Sequence, residues 1–384
     1  MIPYGRQDLT EDDIAAVVDV LRSDFLTQGP AVPSFERAVA NYVSGKHAIA
    51  VNSATAALHI ACLALELGPG DELWTSPITF VASANCARYC GAKVDFVDID
   101  PKTYNLDVTA LRAKLIAARI QGRLPKIVVA VHLCGQSCDM ESILALSQEF
   151  SFRVIEDASH AIGGRYLGNQ VGGCQFSDVT VFSFHPVKII TTGEGGIAVT
   201  NSADLANRMR LLRSHGITRD PSETTHIPDG AWYYQQLILG FNYRLTDIQA
   251  ALGSSQLLRI DSYIKARRRL AARYDSLLAE LPIGLPWQLP ETESSFHLYI
   301  VRIGQLAGTT RDVVFDSMRK MGIGVNVHYI PLHLQPYYAA LGFKPGDYPI
   351  AEKYYEEAIS LPLFATLSIE QQDAVVLALQ SAIR

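Results

Sequence analysis

Phe182-Ser183-Phe184-His185-Pro186-Val187-Lys188 is an apolar, strand-like run that ends in a lysine and leads into the glycine-rich turn Thr192-Gly193-Glu194-Gly195-Gly196. Upstream, Arg153-Val154-Ile155 reads as another strand; it delivers Glu156-Asp157 and is followed by Ala158-Ser159-His160. A single lysine is ordinarily a solvated charge. A lysine behind a serine-bearing strand, with an acid at the end of a second strand, is the arrangement that pyridoxal phosphate (PLP) requires. Its aldehyde needs an amine for a Schiff base, and its ring nitrogen needs an anion to stay protonated. Lys188 and Asp157 are the candidates for these roles. An aspartate that merely caps the next helix is the plainer alternative for Asp157.

Around this stretch, strand-like runs at 47–51, 72–76, 93–97, 126–131, 153–155 and 178–183 alternate with helical patterns. A capping-box-like start, Thr10-Glu11-Asp12-Asp13, opens a helix whose apolar face carries Ile14, Val17, Val18 and Leu21. Further helices are expected from Thr55, from about Phe80, over 108–120 and over 140–150. The alternation predicts an α/β fold with a mainly parallel central sheet and crossover helices. Ligands on such sheets bind beyond the carboxyl ends of the strands, where Asn52, Ser76, His132, Asp157 and Ser183 all fall. Ser53, Ala54 and Thr55 open the helix after the first run, so their N–H groups and two hydroxyls would face an anion there. Ser183 adds a hydroxyl from a neighbouring strand end. Gly193–Gly196 reads as a tight turn rather than a second phosphate cradle.

After Gly240-Phe241-Asn242-Tyr243-Arg244 the character changes. Residues 245–281 read as one long helix, with Arg267-Arg268-Arg269 as a solvated face. Beyond Pro282, a strand at 297–302, a helix at 311–321, a short strand at 324–328 and two helices predict a smaller α+β domain. The expected division is a large PLP-binding domain, 1–250, whose N-terminal arm 1–30 is free to pack elsewhere, and a small C-terminal domain, 251–384.

Composition narrows the class. The 384 residues are 48% hydrophobic and 19% charged, enough to fill a core, and 33 basic against 39 acidic residues give a net charge of −6. No Lys/Arg tract stands out, which argues against nucleic acid or an anionic membrane as partner. The start, Met1-Ile2-Pro3-Tyr4, lacks a basic region followed by an apolar core. The longest apolar stretch, 54–67, is too short for a membrane span and carries His59 and Glu66. Cys86/Cys90 and Cys134/Cys138 share a CxxxC spacing, but no paired knuckles surround them. Reduced thiols and no metal are expected, as in a cytoplasmic protein. No GxGxxG follows the first strand, which excludes a dinucleotide-binding enzyme.

Asn52-Ser53-Ala54-Thr55-Ala56-Ala57-Leu58, Glu156-Asp157-Ala158-Ser159-His160, the Lys188 stretch, Glu194-Gly195-Gly196 and Gly240-Phe241-Asn242-Tyr243-Arg244 together resemble the DegT/StrS family of sugar aminotransferases. The similarity runs from Leu26-Thr27-Gln28-Gly29-Pro30 to Leu361-Pro362-Leu363-Phe364. It implies the type I PLP-dependent aminotransferase fold, PLP and its pyridoxamine form (PMP) as cofactor, and a homodimer with shared active sites. It also implies a nucleotide-linked keto-sugar and L-glutamate as substrates. By position, Lys188 resembles the Schiff-base lysine and proton shuttle, and Asp157 the ring-nitrogen partner. Phe80 resembles the aromatic that stacks on the ring, although a lone Phe at a helix start is ordinarily core. His160 matches a position near the ring's phenolic oxygen, where a packed structural histidine would look the same.

Asn242 matches a residue that reaches the phosphate from the partner subunit. Tyr4, Asp24, Phe25, Leu26, Thr27, His328, Tyr329, Ile330 and Pro331 match positions around the nucleotide-sugar. A packed arm and a strand-end turn are the structural alternatives. Within the family, His185–Gly196, Trp232-Tyr233-Tyr234 and Pro77-Ile78-Thr79-Phe80-Val81-Ala82-Ser83 imply a UDP-linked 4-keto-6-deoxy-L-sugar bearing a 2-acetamido group. A related sugar dehydratase branch carries histidine in place of the lysine, so Lys188 argues against it. A non-catalytic, regulatory PLP-binding protein would have no need of the full Lys188, Asp157 and Ser183 set.

Overall fold

Ile127-Val128-Val129-Ala130-Val131 is apolar at every position and buried throughout, the mark of a strand covered on both faces. The computed structural model, which describes residues 1–304 and 309–383, places it in a seven-stranded sheet. The strands in chain order are β1 (His47–Val51), β2 (Glu72–Thr75), β3 (Lys93–Phe96), β4 (Ile127–Val131), β5 (Arg153–Asp157), β6 (Arg165–Tyr166), β7 (Asn169–Gln170), β8 (Val179–Ser183) and β9 (Gly196–Thr200). The spatial order is β1-β9-β8-β5-β4-β2-β3, and β6 pairs with β7 outside this sheet. β8, β5, β4, β2 and β3 pair in parallel, and β9 runs antiparallel between β1 and β8. β1 therefore points the same way as the parallel set, and all its members end on one edge. The strand β9 was not read from the sequence, because its apolar run follows the glycine turn without a signal of its own.

The helices α1 (Glu11–Leu21), α2 (Ala31–Val43), α3 (Ala54–Ala64) and α4 (Ala82–Tyr89) lead into or cross over the sheet. On α1 the expected face is corrected. Asp13 is its buried residue, held by Arg259 and by the side-chain amide of Gln256 at 2.8 Å, whereas Ile14 and Leu21 are exposed. Val17 and Val18 are part-buried, and the ion pair that buries Asp13 joins two segments in a way no periodicity encodes.

The expected helix over 245–281 is two helices, Asp247–Leu257 and Ile260–Leu278. No proline or glycine marks the break; Arg259 leaves helical geometry (φ −108°, ψ 2°) with its guanidinium committed to Asp13 and Tyr263. Arg267 is not on a solvated face either. It is buried, donating to the carbonyls of His297 (3.2 Å) and Leu363 (2.9 Å).

Ile260, Tyr263 and Ile264 pack with Phe35 and Phe184 of the sheet domain, while Leu270, Tyr274 and Leu278 pack with Tyr299, Val314 and Val375. The two cores thus divide inside the helix Ile260–Leu278. The C-terminal core is built on the antiparallel pair Tyr299–Arg302 and Ala358–Leu361. Residues 324–328 form no strand. Gly324 N–H donates to Ile2 and Asn326 N–H to Ser360, a bridge on either side in place of a ladder. Among the described residues no helix is long and apolar enough to cross a membrane, and no group of three or more His, Cys, Asp or Glu is placed to hold a metal ion.

Candidate active site

β5 ends at Asp157, whose carboxylate is buried and pinned from both sides. Ser83 Oγ donates to Oδ2 at 2.6 Å, and Ser159 N–H to Oδ1 at 3.1 Å. β8 ends at Ser183, and the chain then loops out and back. The loop is closed at its base by Phe184 N–H to Gly195 O (2.9 Å) and Thr192 N–H to Phe184 O (3.0 Å). Lys188 stands on this loop, half-buried in the cleft. Withdrawal from water pushes its ammonium group down to about 8, and the Asp157 carboxylate opposes that shift only in part.

Ser53 caps α3, its Oγ accepting from Ala56 N–H at 3.1 Å, so its hydroxyl proton is left to donate outward. The N–H groups of Ala54 and Thr55 have no acceptor among the described residues, and both residues line the cleft. Gly196, the first residue of β9, lies so close that a Cβ there would sit 2.4 Å from Ala54 N. The glycine turn thus has two separate needs: a positive φ of 81° at Gly193, and backbone-to-backbone approach at Gly196.

The facing wall comes from the chain's two ends. Tyr4, His297, Asn326, Val327, His328 and Tyr329 line it, closing with the sheet edge a cleft of about 880 Å³. His160 Nδ1 accepts from Cys134 N–H at 3.3 Å, so its neutral ring carries the proton on Nε2 and donates it to Tyr329 Oη at 3.2 Å. His328 Nε2 faces the amide nitrogen of Asn326 at 3.4 Å, and its Nδ1 pairs with Ser360 Oγ at 2.7 Å. Burial and the charge of Lys188 hold both rings neutral: His160 well below the usual imidazole range, His328 pushed down to about 3. Phe80 is 59% exposed within the cleft, its ring centroid 6.4 Å from that of Tyr329, so it is not a core residue.

Of the residues singled out in the sequence, Tyr4, Ser53, Ala54, Thr55, Phe80, Asp157, His160, Ser183, Lys188, His328 and Tyr329 meet in this cleft. Asn52 joins them, whereas Ser76 and His132 are buried away from it. Asn242 is exposed and bridges to Ser214; Asp24, Phe25, Leu26 and Thr27 form an exposed segment whose Leu26 carbonyl accepts from Asp247 N–H. Neither these nor Ile330 and Pro331 line the cleft of their own chain. Thr79, Ser159, His185, Glu194, Gln249, His297 and Asn326 line it without having been singled out. Thr79, Ser159, His185 and Glu194 stand inside motifs already quoted and could have been found; Gln249 shows only a capping box, and His297 and Asn326 carry no sequence signal.

A sequence profile of the DegT/DnrJ/EryC1/StrS aminotransferase family matches residues 7–380. The chain belongs to that family. GDP-perosamine synthase of Caulobacter vibrioides is 41% identical over 357 residues, 92% of this chain and 91% of that protein. Among solved structures, Helicobacter pylori PseC, an aminotransferase involved in the biosynthesis of pseudoaminic acid, superposes with a TM-score of 0.91. It is 34% identical over 100% of this chain and 99% of its own. The PMP form of Streptococcus pneumoniae Spr1654, a putative sugar aminotransferase, gives 0.90 at 32% identity over 100% and 99%.

This protein is a PLP-dependent sugar aminotransferase with the α/β fold of those enzymes. The site fits the cofactor on its own chemistry. The N–H groups of Ala54 and Thr55 and the hydroxyls of Ser53 and Ser183 suit a phosphate. Asp157 keeps an acceptor toward the cleft, and Lys188 is an amine of lowered proton affinity.

Proposed function

We propose that this enzyme transfers an amino group from L-glutamate to C4 of a UDP-linked 2-acetamido-2,6-dideoxy-4-keto-L-sugar. The product would be UDP-4-amino-4,6-dideoxy-N-acetyl-β-L-altrosamine, on the route to pseudaminic acid. The full-length likeness to PseC carries this reading. When bound, PLP supplies an electron sink and a carrier for the amino group. The chain does the rest. Lys188, an amine whose proton affinity burial has lowered to about 8, would take a proton from the donor's α-carbon and return one in the second half-reaction. Asp157 would hold the ring nitrogen protonated, and Phe80 would stack on the ring. Tyr4, His328 and Tyr329 bound the sugar with neutral groups, so none competes with Lys188 for the proton.

The site is read as shared between two subunits, with Asn242 reaching the partner's phosphate and Asp24–Thr27, Ile330 and Pro331 meeting the nucleotide-sugar around the joint site. In support, Lys188 is the one Lys or Arg among the described residues lining the cleft, too little for a diphosphate and a dicarboxylate. Trp232 (77% exposed), Leu239 (80%) and Leu258 (88%) also leave apolar surface for a second copy to cover. The likeness to GDP-perosamine synthase favours a second reading, a GDP-linked 4-keto-6-deoxy sugar as acceptor. Incubation of the PLP-loaded enzyme with glutamate and a panel of UDP-, dTDP- and GDP-linked 4-keto-6-deoxy sugars separates the two. An amino sugar formed only from the GDP substrate would overturn the UDP assignment, and none from any would overturn both.

A further inference from the structure

Ser83 is fully buried one turn into the segment that also carries Phe80, and its Oγ lies 2.6 Å from Asp157 Oδ2 and 2.7 Å from Thr79 Oγ1. A serine hydroxyl has one proton to give. Beside an ionised carboxylate, which only accepts, that proton goes to Asp157, and Thr79 must then donate to Ser83. The chain Thr79→Ser83→Asp157 therefore has a direction, and that direction exists only while Asp157 is an anion. Thr79 and Ser83 are both more than nine-tenths buried, so water does not substitute for either. Ser159 N–H fixes the other carboxylate oxygen.

We infer that Ser83, backed by Thr79, is a positioning residue: it holds the Asp157 carboxylate oriented so that it would meet the ring nitrogen of PLP. Hydrogen bonds to an ionised acceptor are short and about twice as strong as neutral ones. Removing this one releases the carboxylate from its fixed orientation, so that the ring nitrogen would lose the well-placed anion that keeps it protonated. One short segment thereby serves both the ring face, through Phe80, and the ring nitrogen, through Ser83.

The test uses holoenzyme loaded with PLP carrying nitrogen-15 in the ring, followed by NMR against pH with no amino donor or sugar. It stands on the cofactor alone, and the substrate proposed above does not enter. Ser83→Ala is expected to lower the midpoint of ring-nitrogen deprotonation by about one pH unit or more, a roughly tenfold loss of proton affinity. Ser83→Thr keeps the hydroxyl and should titrate like the parent, and Thr79→Val should shift in the same direction by less. An unchanged midpoint in Ser83→Ala, or a Ser83→Thr midpoint displaced as far as that of alanine, would overturn the inference. Should Ser83→Ala fail to fold, a parental midpoint in Thr79→Val overturns it instead. Asp157→Asn is the control: a parental midpoint there removes the ring-nitrogen assignment, and with it the role of Ser83.

Discussion

On the sheet side of the cleft, every working group sits within a few residues of a strand end and is held at least in part by neighbours in the chain. Asp157 takes a donor from Ser159, Ser53 caps its own helix, and Lys188 rides a loop tied at its base by Phe184 and Gly195. On the facing side, Tyr4 and the Asn326–Tyr329 segment depend on remote partners. Gly324 pairs with Ile2, His328 with Ser360, and Tyr329 with His160. The charged residues Lys188 and Asp157 belong to the first wall, while the facing wall presents His297 and His328, kept neutral first of all by burial. In the proposed mechanism, proton transfer belongs to the sheet edge, and substrate shape to a surface assembled by domain packing.

Lys188→Ala probes that division most severely. Release of 2-oxoglutarate from glutamate should fall by a factor on the order of 10⁴ or more, since both the covalent anchor and the proton carrier are lost. Borohydride treatment of the parent should fix the cofactor onto Lys188 in a peptide map; label on another lysine would move the centre off the sheet wall.

Asn242→Arg should be nearly inactive by itself. In a verified heterodimer with Lys188→Ala, one site carries both lesions and the other none, so about half of a normal dimer's activity should return. No recovery would rule out the cross-subunit site.

Asp157→Asn should retain PLP in its absorbance spectrum yet lose roughly 10²–10³ in turnover, as a neutral partner no longer keeps the ring nitrogen protonated. Near-normal turnover would take the acid out of the mechanism.

The pH dependence is smaller and graded. Burial depresses the Lys188 ammonium to about 8, so attachment of PLP to the apoenzyme should rise about tenfold per pH unit below that value and level above it. A stopped-flow inflection near the ordinary lysine value of 10.5 would show that Lys188 is solvated.

Tyr329→Phe should cost only a few-fold, in KM for the sugar rather than in kcat, because it removes one neutral hydrogen bond to His160. A loss as large as that of Asp157→Asn would erase the difference between the two walls.

The legible part of the site follows the same line. Lys188, Asp157, Ser53 and Phe80 stand in short contiguous motifs at the ends of apolar runs, so their residue types and order announce both place and chemistry. Gln249 and His297 lack such context: Gln249 is the N3 residue of a capping box and donates to Glu194 O, and His297 lines the cleft with its carbonyl accepting from the distant Arg267. The commitment of Arg259 at the helix break and the burial of Asp13 in α1 were illegible for one shared reason, the pairing of these two residues across 246 positions.

The sequence by itself determined the alternation that makes a mainly parallel sheet, the strand-end Lys188 and Asp157, and the helix start that suits a phosphate. These depend on period, caps and neighbours within a few residues. Only the tertiary structure decided which strand runs antiparallel, where the two cores divide, which rings face Lys188, and that Ser83 braces Asp157 from 74 positions away. Such choices rest on contacts between segments far apart in the chain, where burial and hydrogen-bond satisfaction select the partner and no local pattern records it.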